Sequence, residues 1–176
     1  MEIKLIPSDE KSKYDSRVFE ILTNADNEFV PPLSSRRSTT QSDLCGGEKA
    51  EDGIKKYFEE MKKQCLMLAF DGERVTAFMS FKENYTTEII TDTPNVYLST
   101  LVVAPEGRGA GLTQKMYEKL FSLYPDAFVF TRTWSTNAAH TKILARLDFE
   151  AFKTIKNDRG EGIDTVYFIR RPKTEN

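Results

Sequence analysis

The sequence predicts an α+β fold built on one mixed sheet, and three observations lead there. Apolar alternation marks strands that come both as hairpin pairs and as strand-helix-strand units. Apolar residues at helical spacing mark helices before and between those strands. The chain has 176 residues, 39% hydrophobic and 30% charged, the size and composition of a single globular domain spanning 1–176.

Residues 3–6 alternate apolar and polar and read as an opening strand. Tyr14, Val18, Ile21, Leu22 and Ala25 fall on one face of a first helix. Residues 27–45 carry Pro31-Pro32 and many Ser and Thr, the composition of an irregular loop. Ile54, Tyr57, Phe58 and Met61 form the stripe of a second helix. Residues 65–70 and 75–81 are strands joined at Asp71-Gly72, a pair suited to a tight turn. A polar stretch then leads to a strong strand over 96–103, followed by Pro105 and a glycine-rich turn. The next helix sets Leu112, Met116, Leu120 and Leu123 on one face; residues 127–133 follow as a strand and 138–147 as a helix. Residues 149–155 and 165–170 are expected to close the chain as a hairpin. There is no internal repeat or low-complexity tract.

Composition narrows the classes of function. A formal net charge of −2 provides no field that would gather nucleic acid, and the pairs Arg36-Arg37 and Arg170-Arg171 read as solvated surface. Cys45 and Cys65 are too few for a disulfide framework, and with one histidine no metal site is expected. Met1-Glu2-Ile3-Lys4 lacks the apolar core of a signal peptide, and no apolar run approaches the roughly 18 residues that span a bilayer. The expected setting is the cytoplasm, with reduced thiols and no membrane partner.

The chemistry is concentrated between residues 101 and 114. A strand, Leu101-Val102-Val103, ends at Ala104-Pro105, the chain turns through Gly107, Gly109 and Gly111, and a helix begins at once. Glycine allows close backbone approach to a ligand, and the first N–H groups of a helix face outward with the positive dipole end behind them. Such a turn binds phosphate without needing a lysine. The spacing fits neither a Rossmann fingerprint nor a P-loop.

Here the sequence resembles the GCN5-related N-acetyltransferases. Their signature is Arg or Gln, two residues, Gly, one residue, then Gly or Ala, after a strand ending in V-x-P. It is matched as Val103-Ala104-Pro105 and Arg108-Gly109-Ala110-Gly111-Leu112-Thr113, with Thr113 in place of the last Gly or Ala. A second motif follows: Asn137 opens the next helix, and Leu147-Asp148-Phe149 stands where that helix ends in Gly-Phe in the family. The resemblance implies a sheet of about seven mostly antiparallel strands flanked by about four helices.

It also implies acetyl-CoA as cofactor. The backbone of Leu101, Val102 and Val103 would pair with the pantetheine arm, and the N–H groups from Gly109 through Ala110, Gly111, Leu112, Thr113 and Gln114 would hold the pyrophosphate beside Arg108. Asn137 would reach the reactive end or cap its helix. The family tyrosine seven residues after Asn137 is absent, for Leu144 stands there. That leaves His140, Tyr167 and Tyr117 as alternative proton donors. Ser99 occupies the position of the usual acidic base, leaving Glu83 and Glu88 as the nearest acids. Arg132, Thr133 and Trp134, with Phe29 and Arg36 from the loop after the first helix, are expected around the acceptor. The implied activity is transfer of an acetyl group to a small-molecule primary amine in a ternary complex, by a monomer or homodimer. A catalytically weak acyl-CoA sensor and a protein acetyltransferase are the rival readings.

Overall fold

The computed structural model describes residues 1–45 and 47–173. Seven strands and four α-helices occur in the expected order: β1 (Glu2–Ile6), α1 (Asp15–Asn24), α2 (Gly53–Lys62), β2 (Cys65–Asp71), β3 (Arg74–Glu83), β4 (Asn95–Val103), α3 (Leu112–Leu123), β5 (Phe128–Trp134), α4 (Ala138–Arg146), β6 (Glu150–Ile155) and β7 (Thr165–Arg170). Among the described residues, the segment between α1 and α2 is irregular except for the short 3-10 turns Asp26–Glu28 and Leu33–Ser35.

Periodicity explains the layering. α1 and α2 bury Val18, Leu22, Tyr57 and Met61 on one face of the sheet, against Leu68, Phe78 and Val102. α3 and α4 bury Leu112, Met116, Leu120 and Leu144 on the other, against Met67, Met79 and Leu98. Each large apolar side chain so buried is worth about 1.5–3 kcal/mol, so the two faces supply the main driving force for the three-layer packing.

The strand order is β1-β2-β3-β4-β5-β7-β6. Every neighbouring pair is antiparallel except β4 and β5, which run parallel. That parallel pair holds only from Asn95↔Phe128 to Leu98↔Thr131. Beyond it β4 stays with β3, while β5 follows β7 through Arg132↔Tyr167 to Trp134↔Thr165. The β3–β4 register shifts between Ser80 and Phe81, which leaves Ser99 as an extra residue, a bulge that turns the strand where the two diverge. The sheet therefore splits at its centre.

α4 ends as the sequence suggests. Asp148 adopts φ 63, in the left-handed region. The Phe149 N–H returns to the Leu144 carbonyl at 3.0 Å, the six-to-one bond of a Schellman cap.

Candidate active site

The split opens a cleft of about 350 Å³. One wall is the free edge of β4. Ala104 N–H donates to Thr76 O at 2.8 Å, and antiparallel bonding alternates along a strand, so Val102 and Thr100 also point their backbone groups at β3. Leu101 and Val103 present theirs to the gap that β5 has left. Val103 O already accepts from Arg108 Nε at 3.3 Å. Of the three residues expected to pair with an extended ligand, two have their backbone groups turned toward the gap, and Val102 contributes its side chain to the other face.

The glycine turn lies at the open end of this edge. Gly109 and Gly111 have φ values of 81 and 69, a conformation costly for residues with a Cβ, and a Cβ at either would meet nothing within 4 Å. Backbone N–H groups at 109–114 donate to no group among the described residues, and the first helical bond of α3 comes from Lys115 to Gly111 O at 3.1 Å. Six unpaired donors thus lie at a positive helix end beside open space. A diphosphate fits this set of groups.

Gly109 and Gly111, both within the signature, take the positive φ values of the turn, and Thr113 sits inside the first turn of α3, where its side chain lines the cleft. Just upstream, Glu106 is held by Arg17 and by Arg74 at 2.8 Å.

α4 brings two expected residues to the cleft. Asn137 Oδ1 accepts from His140 N at 3.3 Å as the helix cap, and Asn137 Nδ2 donates to Thr133 Oγ1 at 3.0 Å, so capping also fixes the amide beside the cleft. His140 lines the cleft, with Nε2 at 3.0 Å from the fully buried Tyr117 hydroxyl. Burial lowers the His140 pKa to about 4, so the imidazole is neutral near pH 7. It can hydrogen-bond to a ligand but is disfavoured as a cationic acid. Burial pushes the Tyr117 phenol well above its usual range. Leu144 is fully buried in the core and takes no part.

On the opposite face, Phe29 and Trp134 pack at 5.7 Å between ring centroids and line the cleft together with Arg132 and Thr133. Arg36 is not on the surface of the cleft; it lies behind Phe29, 5.5 Å from that ring, and donates to Pro31 O at 2.9 Å. Two expected catalytic residues are also placed elsewhere. Glu83 ends β3, and β3 runs antiparallel to β4, so Glu83 pairs with Val96 at the closed end of the split. Its carboxylate accepts from Tyr124 OH at 2.7 Å. Tyr167 lies behind the cleft, where its hydroxyl accepts from Arg132 Nη1 at 3.2 Å. Glu88 and Tyr167 line a separate depression behind the cleft.

Glu28 is the residue that the sequence did not single out. Among the described residues it is the one carboxylate lining the cleft, and both its oxygens accept from Arg108 Nη2, at 2.7 and 2.9 Å. Ser99 also lines the cleft, donating to Gln64 Oε1 at 2.5 Å. Among the described residues no cluster of side chains is suited to a metal ion, and no helix is long and apolar enough to cross a membrane.

A sheet split at its parallel pair, with a left-handed glycine turn feeding a helix beside the split, characterises an acyl-CoA-dependent acetyltransferase. The chain belongs to the acetyltransferase (GNAT) family, whose model matches residues 26–149. No curated protein matches it in sequence. Among solved structures it is similar to an aminoglycoside 6'-acetyltransferase type Ii, with TM-score 0.69, 14% identity and full coverage of both chains. It is also similar to a ribosomal-protein-alanine N-acetyltransferase from Brucella melitensis, with TM-score 0.66 and 13% identity over 97% of this chain and 99% of that one. A Salmonella typhimurium structure that holds its cofactor acetyl-CoA matches with TM-score 0.66 and 14% identity over 100% of this chain and 96% of that one. These likenesses carry the fold. They span acceptors of different kinds and so do not choose one.

Proposed function

We propose that the chain is an N-acetyltransferase that moves the acetyl group of acetyl-CoA to a primary amine of a small molecule. The observation that favours a small acceptor is the enclosure of the cleft on its acceptor side. Arg132 Nη2 donates to Gln41 O at 2.6 Å and Arg159 Nη1 to Val30 O at 2.7 Å, which ties the loop between α1 and α2 down against β5 and the β6–β7 turn. A peptide chain needs an open groove there.

Bound acetyl-CoA supplies a thioester acyl group that an amine nitrogen can attack. The N–H groups at 109–114 would hold its diphosphate, and the facing backbone groups of Leu101 and Val103 would pair with the pantetheine arm. Asn137 and neutral His140, steadied by Tyr117, offer hydrogen bonds at the reactive end. An alkylammonium acceptor loses one proton before attack, and Glu28 draws that ammonium to the cleft. That proton passes to water. The second amine proton ends on the sulfur, whose thiol pKa lies close enough to that of cysteine that no strong acid is required.

Thiol release measured with purified protein, acetyl-CoA and a panel of small amines and amine-bearing peptides tests this reading. Amine-dependent release confined to small amines is expected. Release with peptides alone would assign a protein acceptor, and CoA binding without release on any amine would favour the sensor, for which Leu144 in place of tyrosine speaks.

A further inference from the structure

Behind the acceptor side of the cleft, three arginines converge from three separate parts of the chain. Arg132 comes from β5, Arg36 from the loop after α1, and Arg159 from the β6–β7 turn. Arg36 and Arg159 are 7% and 5% exposed. Both reach the same carbonyl, Val30 O, from Arg36 Nη2 at 3.4 Å and Arg159 Nη1 at 2.7 Å. Their guanidiniums lie over Phe29 and Trp134, at 5.5 and 5.7 Å from the ring centroids, and those rings face the cleft beside Arg132.

None of the three forms a salt bridge among the described residues. Their partners are the carbonyls of Val30, Pro31 and Gln41 and the hydroxyls of Tyr167 and Thr165. The buried acid beside them is Asp158, 8% exposed, whose carboxylate accepts from Thr165 Oγ1. Asp26, farther along the loop, is occupied by Ser34 and by Lys49 at 3.5 Å. Three cations therefore face two carboxylates, both already engaged by other groups. Burial, reinforced by Arg36 and Arg132, lowers the Arg159 pKa to about 9, whereas at Arg132 burial is outweighed by Tyr97 and Tyr167 and the shift is upward.

Tying down a loop needs donors, not charge, and asparagine or glutamine supplies donors without the cost of desolvating a cation. Arg132 Nε, Arg36 Nη1 and Arg159 Nη2 make no hydrogen bond among the described residues, and none is sealed from solvent. Charge and spare donors together match an oxyanion. The cleft is thus bipolar, with Glu28 drawing an ammonium and Arg132 lining the side where the cations gather.

We propose that the acceptor is an amine that also carries a carboxylate or a phosphate, and that Arg132, backed by the field of Arg36 and Arg159, receives that anion. This rests on the N-acetyltransferase reading for its chemistry, though not for its test. It places polyamines and other polycationic amines among the poor acceptors.

Calorimetric titration of the CoA-bound protein with four primary amines provides that test. Two, 4-aminobutyrate and 2-aminoethyl phosphate, carry the anions; butylamine is neutral beyond its amine, and 1,4-diaminobutane carries a second cation. At least one anionic amine should bind about 10- to 100-fold tighter than butylamine, with diaminobutane weakest, and the stronger of the two identifies the anion. Arg132→Gln should bring that preference close to parity while CoA affinity stays unchanged. If that variant does not fold, Arg132→Lys, which keeps the charge and loses the fork, should retain part of the preference. Equal or tighter binding of butylamine or diaminobutane, no binding by either anionic amine, or an undiminished preference in Arg132→Gln would overturn the proposal. Turnover is not needed. Binding of the anionic amines without acetylation would refute the enzyme reading and leave the anion site standing.

Discussion

Replacing Gly111 with aspartate and, separately, with asparagine isolates the charge at the proposed phosphate cup. The two side chains have nearly the same shape, and both tolerate the left-handed backbone that Gly111 adopts at φ 69 better than other residues do. Their steric and conformational costs are therefore shared, at about 1 kcal/mol. Without cofactor, the carboxylate at the start of α3 meets the positive helix end and gains about 0.3–1 kcal/mol over the amide. Both variants should fold, with melting temperatures within about 4 °C of the parent. With cofactor the sign reverses. A carboxylate about 5 Å from a phosphate is repelled by about 1–3 kcal/mol at effective dielectrics between water and a protein surface. CoA should then bind about 5- to 100-fold more weakly to Gly111→Asp than to Gly111→Asn, and the gap should narrow with added salt. Isothermal titration of both variants at two ionic strengths measures this. Equal affinities within about twofold would show that no phosphate sits at this turn.

Tyr117→Phe removes a hydroxyl from a fully buried site and leaves His140 Nε2 without its partner. It should cost about 1–3 kcal/mol of stability and lower kcat about tenfold with the KM for acetyl-CoA unchanged; full activity would remove the imidazole from the mechanism. The depressed His140 pKa, about 4 against an ordinary 6.5, means that the unfolded chain takes up that proton first as pH falls. Its contribution to stability is complete above about pH 6.5 and is lost on the way down to about pH 4, so His140→Gln should melt with a shallower pH slope in that window. For the same reason kcat/KM for the amine should follow the ionisation of the amine itself, and a break between about pH 6 and 7 that vanishes in His140→Gln would contradict a neutral imidazole. Asp148→Gly relieves a left-handed residue at the end of α4 and should raise the melting temperature by about 2–4 °C, with an unchanged or lower value refuting the strain.

The order of strands and helices was legible because each amphipathic stripe faces one side of a single sheet. Asn137 and His140 reached the cleft because a helix start fixes its first turn. Other parts depend on facts that periodicity does not carry. Glu83 was misplaced because the direction of a strand decides which of its ends meets the cleft. Tyr117 shares its helix face with Met116 and Leu120, so nothing in the pattern separates it from the core. Glu28 lies in a 3-10 turn of the loop between α1 and α2, and its approach to Arg108 spans 80 residues of sequence. The glycine turn was legible in the sequence, while the left-handed φ values of Gly109 and Gly111 are a property of the folded backbone. Arg36 and Arg132 stood out singly, while the meeting of Arg36 and Arg159 at Val30 is a property of the fold.

The most direct test of the cofactor's position is an amide-resolved NMR titration of the isotopically labelled chain with CoA. The N–H signals of Leu101 and Val103 and of residues 109–114 should shift strongly and gain protection from exchange, while Val102, already bonded to β3, should gain little. Shifts confined to another surface, or an unperturbed turn at saturating CoA, would contradict the placement on which every assigned role depends.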